Sequence, residues 1–182
     1  MNFIETDIKG VFIIEPKVFV DNRGYFMESY KQSEFEKYIG KIEFIQDNES
    51  KSSYGVLRGL HYQLGKDAQS KLVRVIKGKV LDVAVDVRKS SSTFSKHAAV
   101  ELSEENKRQL FIPRGFAHGY VVLSEEAIFT YKVDNTYAPQ SERSIIYNDP
   151  TIGIDWGISA NNILLSAKDA AAHLLENADL FD

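Results

Sequence analysis

Hydrophobic positions along the chain fall into short runs rather than long helical periods. Val11-Phe12-Ile13-Ile14 and Val18-Phe19-Val20 lead into Asp21-Asn22-Arg23-Gly24, a cluster of turn formers. Tyr25 to Tyr30 and Ile42 to Gln46 read as further strands. The clearest hairpin joins Leu72-Val73-Arg74-Val75-Ile76 to Val80 through Val87 by way of Lys77-Gly78-Lys79. A Gly-centred loop of three between β-branched runs is a strong reversal signal. Later strands are predicted for Ala98 to Leu102, Gln109 to Ile112, Gly119 to Leu123, Ala127 to Val133 and Ser144 to Tyr147. Two helices interrupt the pattern. Ser33-Glu34-Phe35-Glu36 is a capping box opening a short helix towards Ile39, and Ser166-Ala167-Lys168-Asp169 opens another running to about Leu175. Many closely spaced strands and few helices predict an all-β antiparallel sandwich or barrel.

Composition narrows the function more than the fold. No repeat, low-complexity tract or linker divides the 182 residues, so one domain over 1–182 is expected. A chain of this length buries roughly 70% of its unfolded surface, enough for a core with a pocket in it. With 26 acidic and 22 basic residues the net charge is −4, which argues against a nucleic-acid or anionic-membrane binder. Any bound anion must be met by locally placed cations. Cys is absent, which excludes disulfides, zinc–thiolate sites and thiol nucleophiles. The segment from Met1 to Asp7 lacks a basic stretch followed by an apolar run, and no apolar stretch approaches the roughly 20 residues of a membrane span. A cytoplasmic location is the expectation.

Three segments carry polar residues where a sandwich core would favour apolar ones. In Val56-Leu57-Arg58-Gly59-Leu60-His61-Tyr62-Gln63, a regular strand puts His61 and Gln63 on the face opposite Leu60 and Tyr62. His61 then points into the barrel or out to water. Arg58 falls on the other face unless Gly59 kinks the strand, as strand glycines often do. Lys71 shares its face with Val73 and Val75, so it sits at the strand's solvent end or lines a cavity, the former being commoner. The third segment, Ile112-Pro113-Arg114-Gly115-Phe116-Ala117-His118-Gly119-Tyr120, is a Pro/Gly turn feeding a strand. Downstream, Tyr131 shares a face with Phe129 and Val133, a pattern equally suited to core packing. Asp169 stands at the third helical position, where an acid meets the helix dipole whether or not it has another role. Taken singly, none of these residues defines a site.

Taken together they resemble the dTDP-4-dehydrorhamnose 3,5-epimerase family. The resemblance rests on Arg58-Gly59-Leu60-His61-Tyr62-Gln63, Lys71 to Val75, Ile112 to Gly119 and Ser166-Ala167-Lys168-Asp169. Glu15 to Phe19, Asp21-Asn22-Arg23-Gly24 and Gln46-Asp47-Asn48-Glu49-Ser50 extend it, in order, across Ile14 to Leu175. Asp155-Trp156-Gly157 departs from the family's usual Trp-Pro in a loop. The resemblance implies a cupin-type jelly roll, a homodimer with exchanged N-terminal strands, and proton chemistry on a dTDP-linked 4-keto-6-deoxy sugar without a cofactor. It implies His61 as base, Asp169 as its partner, Tyr131 as the acid on the opposite face and Lys71 as the cation at the C4 oxygen. Arg23, Glu28, Gln46, Asn48, Arg58, His118, Glu142 and Lys168 match substrate-contacting positions, with Lys71 counted among them too.

Three competing readings follow from the same residues. A metal-dependent cupin needs a His-x-His pair, whereas position 63 is Gln, so no metal is expected. Epimerases that invert C3 alone or C5 alone would share the base and the acid. A non-catalytic sugar-nucleotide binder would have no use for an opposed acid and base.

Overall fold

A computed structural model describes all 182 residues. Two antiparallel sheets face each other. The first is six-stranded, in the order β1 (Asn2–Glu5), β2 (Phe12–Glu15), β10 (Gln109–Ile112), β7 (Lys71–Lys77), β12 (Glu126–Val133), β5 (Gln46–Ser53). The second is five-stranded, in the order β13 (Glu142–Ser144), β6 (Leu57–Gln63), β11 (Phe116–Val122), β8 (Lys79–Asp86), β9 (His97–Ser103). A separate hairpin, β3 (Val18–Asp21) and β4 (Gly24–Met27), stands apart from both. This is the cupin-type jelly roll.

Alternation along the strands builds the layers. Val73, Val75, Leu110 and Phe129 from the six-stranded sheet pack against Val80, Ala84, Tyr120 and Val122 from the five-stranded one. The odd positions of β8, Val83 and Val85, turn outward beneath Ile152, Trp156 and Leu175 of the C-terminal segment. Both faces of β8 are therefore buried, which explains its almost unbroken apolar run. Helix α1 (Gln32–Tyr38) lays Phe35 on Ile14, Leu72 and Phe111 and covers one part of the other sheet's outer face.

Several expected elements shift. Ile42 to Ile45 is irregular, and β5 begins at Gln46 and continues through a polar stretch. β1 and β5 were not expected, because neither has the apolar alternation of a half-buried strand. Ser33 does not cap α1: the helix starts at Gln32 after Lys31, with no side-chain cap. Ser166 does cap α2 (Ala167–Ala170), but α2 is a single turn that stops well short of Leu175. The strand placed at 144–147 lies earlier, as β13, and the β4 strand ends at Met27 rather than Tyr30. Only Gly78 separates β7 from β8, a tighter hairpin than the three-residue loop expected.

Candidate active site

A cavity of about 600 Å³ opens between the two sheets. It receives His61 and Arg58 from β6, His118 from β11, Lys71 from β7 and Tyr131 from β12. Asn48 on β5 and Lys168 and Asp169 on α2 complete its rim. A second hollow of about 340 Å³ shares Asn48, His61, Lys71 and Tyr131 and adds Gln46 and Glu142. The two form one continuous site with the four shared residues at its centre.

Local backbone geometry puts Arg58 and His61 on the same side. His118 pairs with His61, but Tyr120 pairs with Arg58, so the register slips by one residue between β6 and β11. Gly59 sits in that slip with φ +137°, and a Cβ there would meet the Gly119 Cα at 2.5 Å. Two glycines let the strands touch, and the bulge re-aims Arg58 into the cavity. Arg58 Nε then donates to Ser52 Oγ at 3.2 Å.

His61 Nε2 lies 2.5 Å from Asp169 Oδ1. Ser166 Oγ donates to the other oxygen of Asp169 at 2.8 Å while accepting from the Asp169 backbone N–H at 3.1 Å. Burial works to raise the Asp169 pKa, but the hydrogen bonds from His61 and Ser166 outweigh it and hold the carboxyl below its ordinary value. An ionised carboxylate only accepts, so the proton of His61 sits on Nε2 and Nδ1 is the basic nitrogen. Ser166 thus caps the helix with its hydroxyl oxygen and uses its proton to hold the Asp169 carboxylate against His61.

On the opposing sheet, burial pushes the Tyr131 phenol up, reinforced by Tyr120 and Glu142 against the pull of Arg58. It remains a protonated donor at neutral pH. Lys71 does not reach the solvent end of its strand; it lines the cavity, and burial pulls its ammonium down to about 8 against the charges of Asp82 and Glu142. His118 is buried and held below its ordinary value by the same desolvation, with Asp82 opposing. Glu142 accepts from the Tyr137 hydroxyl at 2.7 Å and from Lys168 Nζ. Those bonds hold its carboxyl low although burial opposes them.

Ten of the twelve residues singled out in the sequence therefore meet at one site. Arg23 and Glu28 do not. Arg23 is 85% exposed at the tip of the β3–β4 hairpin, paired with Asp21, and Glu28 follows the hairpin into solvent beside Lys31. Gln63 faces inward but is spent on the fold: its amide donates to the Asp67 and Thr136 carbonyls and accepts from Ala138 N–H. No three His, Asp or Glu side chains converge in a way that could hold a metal ion. Sequence reasoning missed Tyr137, Tyr120 and Asp82. Of these only Asp82 left a signal, as an acid inside the apolar run from Val80 to Val87.

Comparison with known proteins places the chain. Residues 5–177 match the family model described as dTDP-4-dehydrorhamnose 3,5-epimerase. The dTDP-4-dehydrorhamnose 3,5-epimerase of Shigella flexneri is 57% identical over 182 residues, covering 100% of this chain and 99% of that protein. The Salmonella typhimurium protein of the same name is 59% identical over 179 residues, covering 98% and 97%. Among solved structures, the Legionella pneumophila dTDP-6-deoxy-D-glucose-3,5-epimerase, in complex with dTDP-4-keto-L-rhamnose, superposes with a TM-score of 0.94. It is 51% identical, with 98% of this chain and 94% of that chain covered. With a jelly roll of the same shape and a family match spanning nearly its whole length, the chain belongs to the dTDP-4-dehydrorhamnose 3,5-epimerase family.

Proposed function

We propose that the protein converts dTDP-4-dehydro-6-deoxy-D-glucose to dTDP-4-dehydro-L-rhamnose by inverting C3 and C5, a step of dTDP-L-rhamnose synthesis. The observation that carries this reading is the opposition, across one cavity, of His61 on one sheet, paired with Asp169 of α2, and Tyr131 on the other sheet, with Lys71 lining the same cavity. C3 and C5 flank the C4 ketone. His61 Nδ1 takes the proton from one of these carbons, and the C–H electron pair moves into an enolate whose charge rests on the C4 oxygen. Lys71 supplies the cation for that oxygen; a preorganised donor of this kind is typically worth roughly 2.7–4 kcal/mol of barrier. The Tyr131 phenol returns a proton to the opposite face of the same carbon. His61 has gained one proton and Tyr131 has lost one, and both are reset by exchange with solvent. No redox cofactor enters the balance.

The remaining contacts serve the nucleotide sugar. Gln46, Arg58, His118, Glu142 and Lys168 line the two hollows around the four central residues, of which Asn48 is also a contact of this kind. Arg23 and Glu28 reach a site only by leaving their own molecule. The hairpin that carries them exposes Val20 at 79% and Phe26 at 67%, and such apolar surface on a protruding arm favours a partner. A homodimer in which each hairpin completes the other subunit's nucleotide pocket, Arg23 meeting the diphosphate, accounts for both facts.

The test is NMR analysis of dTDP-4-keto-6-deoxyglucose incubated with the protein in deuterium oxide. Deuterium at C3 and C5 with inversion at both is expected, and His61→Asn should abolish exchange at both carbons. Exchange at one carbon alone would make it a mono-epimerase. Exchange persisting in the variant would assign the base elsewhere.

A further inference from the structure

One buried acid behind the cavity wall has no place in the mechanism above. Asp82 lies in the middle of β8 with no exposed surface. Its Oδ2 is 2.9 Å from His118 Nε2, and its Oδ1 has no hydrogen-bond partner at all. The neighbouring buried acid shows what a structural carboxylate looks like in this fold. Asp86, four residues on, accepts from the Arg88 guanidinium and backbone and from the Ser91 and Thr93 hydroxyls. Asp82 has one partner and no cation in contact. A carboxylate buried with half its lone pairs idle is expensive, and an apolar residue or an amide would cost the fold less. Its charge must be used.

The surroundings show by what. From β11, His118 and Tyr120 share the inner face with Asp82. Tyr120 is committed to Ser50, with 2.9 Å between the two hydroxyls. From β9 on its other side only the apolar Ala98, Val100 and Leu102 face the same way. Across the cavity stands Lys71 on β7, while His61 on β6 and Glu142 on β13 lie along Asp82's own sheet, beyond β11. Asp169 belongs to His61, and Glu142 belongs to Lys168 and Tyr137. Lys71 has no ion-pair partner of its own, and Asp82 is the first anion that acts on it. We propose that Asp82 is a positioning residue for the enolate-binding wall: its carboxylate fixes the His118 proton on Nε2 and is the counter-charge that keeps Lys71 an ammonium during turnover. The inference rests on the epimerase reading above.

The charges then balance inside the wall. The Asp82 carboxyl group lies on one side of His118, and Lys71 is the cation of the wall. His118 is neutral between them, because its own desolvation outweighs the pull of Asp82. The developing enolate charge finds a cation already in place, which is the sense in which such sites are preorganised. Without Asp82, desolvation acts on Lys71 opposed only by Glu142. Lys71 then loses its proton at lower pH, and the wall loses its cation.

The test compares the pH dependence of exchange and inversion in the wild-type protein and in Asp82→Asn, with dTDP affinity measured alongside. Lys71 deprotonation near 8 sets the alkaline limb of the wild type, since activity needs the charged form and loses it as pH rises. In Asp82→Asn that limb should move down by about one pH unit or more, the usual effect of removing an opposite charge. Affinity for dTDP should change far less than turnover at alkaline pH, because Asp82 itself lines neither hollow of the site and reaches it only through His118. A merely structural role would depress activity equally at every pH, and an unmoved limb in the folded variant overturns the inference. Should Asp82→Asn not fold, the wild-type His118 ring decides by ¹⁵N NMR. A persistent Nε2–H tautomer through neutral pH is expected; an Nδ1–H tautomer, or titration like a free imidazole, overturns it. A wild-type protein that exchanges neither hydrogen would instead refute the epimerase reading, which the ring measurement does not touch.

Discussion

His61 and Tyr131 stand on different sheets and make no hydrogen bond to each other, so each half of the proton transfer can be silenced alone. Tyr131→Phe leaves the base intact. A proton still leaves, and His61 can return solvent deuterium to the face it came from, giving labelled substrate of retained configuration. Inversion should fall by roughly the 10²–10⁴-fold that a positioned acid supplies. Losing one half-buried hydroxyl costs the fold only about 1 kcal/mol, so stability does not obscure the result. NMR of recovered substrate and product measures both quantities at once, and normal inversion would remove Tyr131 from the mechanism. At this scale the sequence showed which residue types were present but not their neighbours. Lys71 read as a solvent-end lysine because face-sharing with Val73 and Val75 says nothing about whether a second sheet closes over it. The His61–Asp169 contact spans 108 residues, and no local pattern encodes it. Only the family resemblance brought the two together.

Elements were legible where apolar alternation is strong. The β7–β8 hairpin and β10 came out nearly as predicted, since both are packed between layers. β5 was not legible: its eight residues, Gln46 to Ser53, include no apolar side chain, and it exists because β12 pairs with it over its whole length. Two of its polar residues, Gln46 and Asn48, face the site, so the strand hardest to recognise is one that lines the candidate site. The kink at Gly59 was foreseen as a condition for Arg58 to join His61, and the register slip supplies it. This makes Gly59 a test of the element as a whole. In Gly59→Ala, the left-handed φ and the 2.5 Å approach to Gly119 each cost about 1–3 kcal/mol, so stability should fall by about 2–6 kcal/mol. Denaturant unfolding measures the loss. Whatever fraction remains folded should show a larger drop in activity than Arg58→Ala alone, because His61 is displaced with Arg58. A Gly59→Ala protein of normal stability and activity would mean that the bulge is not needed.

For the molecule as a whole, a net-acidic composition requires local cations for any anionic ligand, and Arg58, Lys71 and Lys168 gather at one cavity. The architecture class was readable from strand spacing, whereas the division into two sheets followed from long-range pairing that spacing cannot supply. The detached hairpin has a genetic consequence. If Arg23 serves the neighbouring subunit, an Arg23→Ala subunit keeps a good cavity but lends a defective arm, and a His61→Asn subunit does the opposite. Each homodimer is impaired on its own. Unfolded together and refolded as a mixture, they should yield heterodimers in which the first subunit's cavity is served by the second subunit's sound arm, restoring about a quarter of all sites if pairing is random. Activity regained on mixing would show that the working unit of this protein is drawn from two chains. If no activity returned in mixed dimers verified by mass, each chain would be self-sufficient and the arm would have some other use.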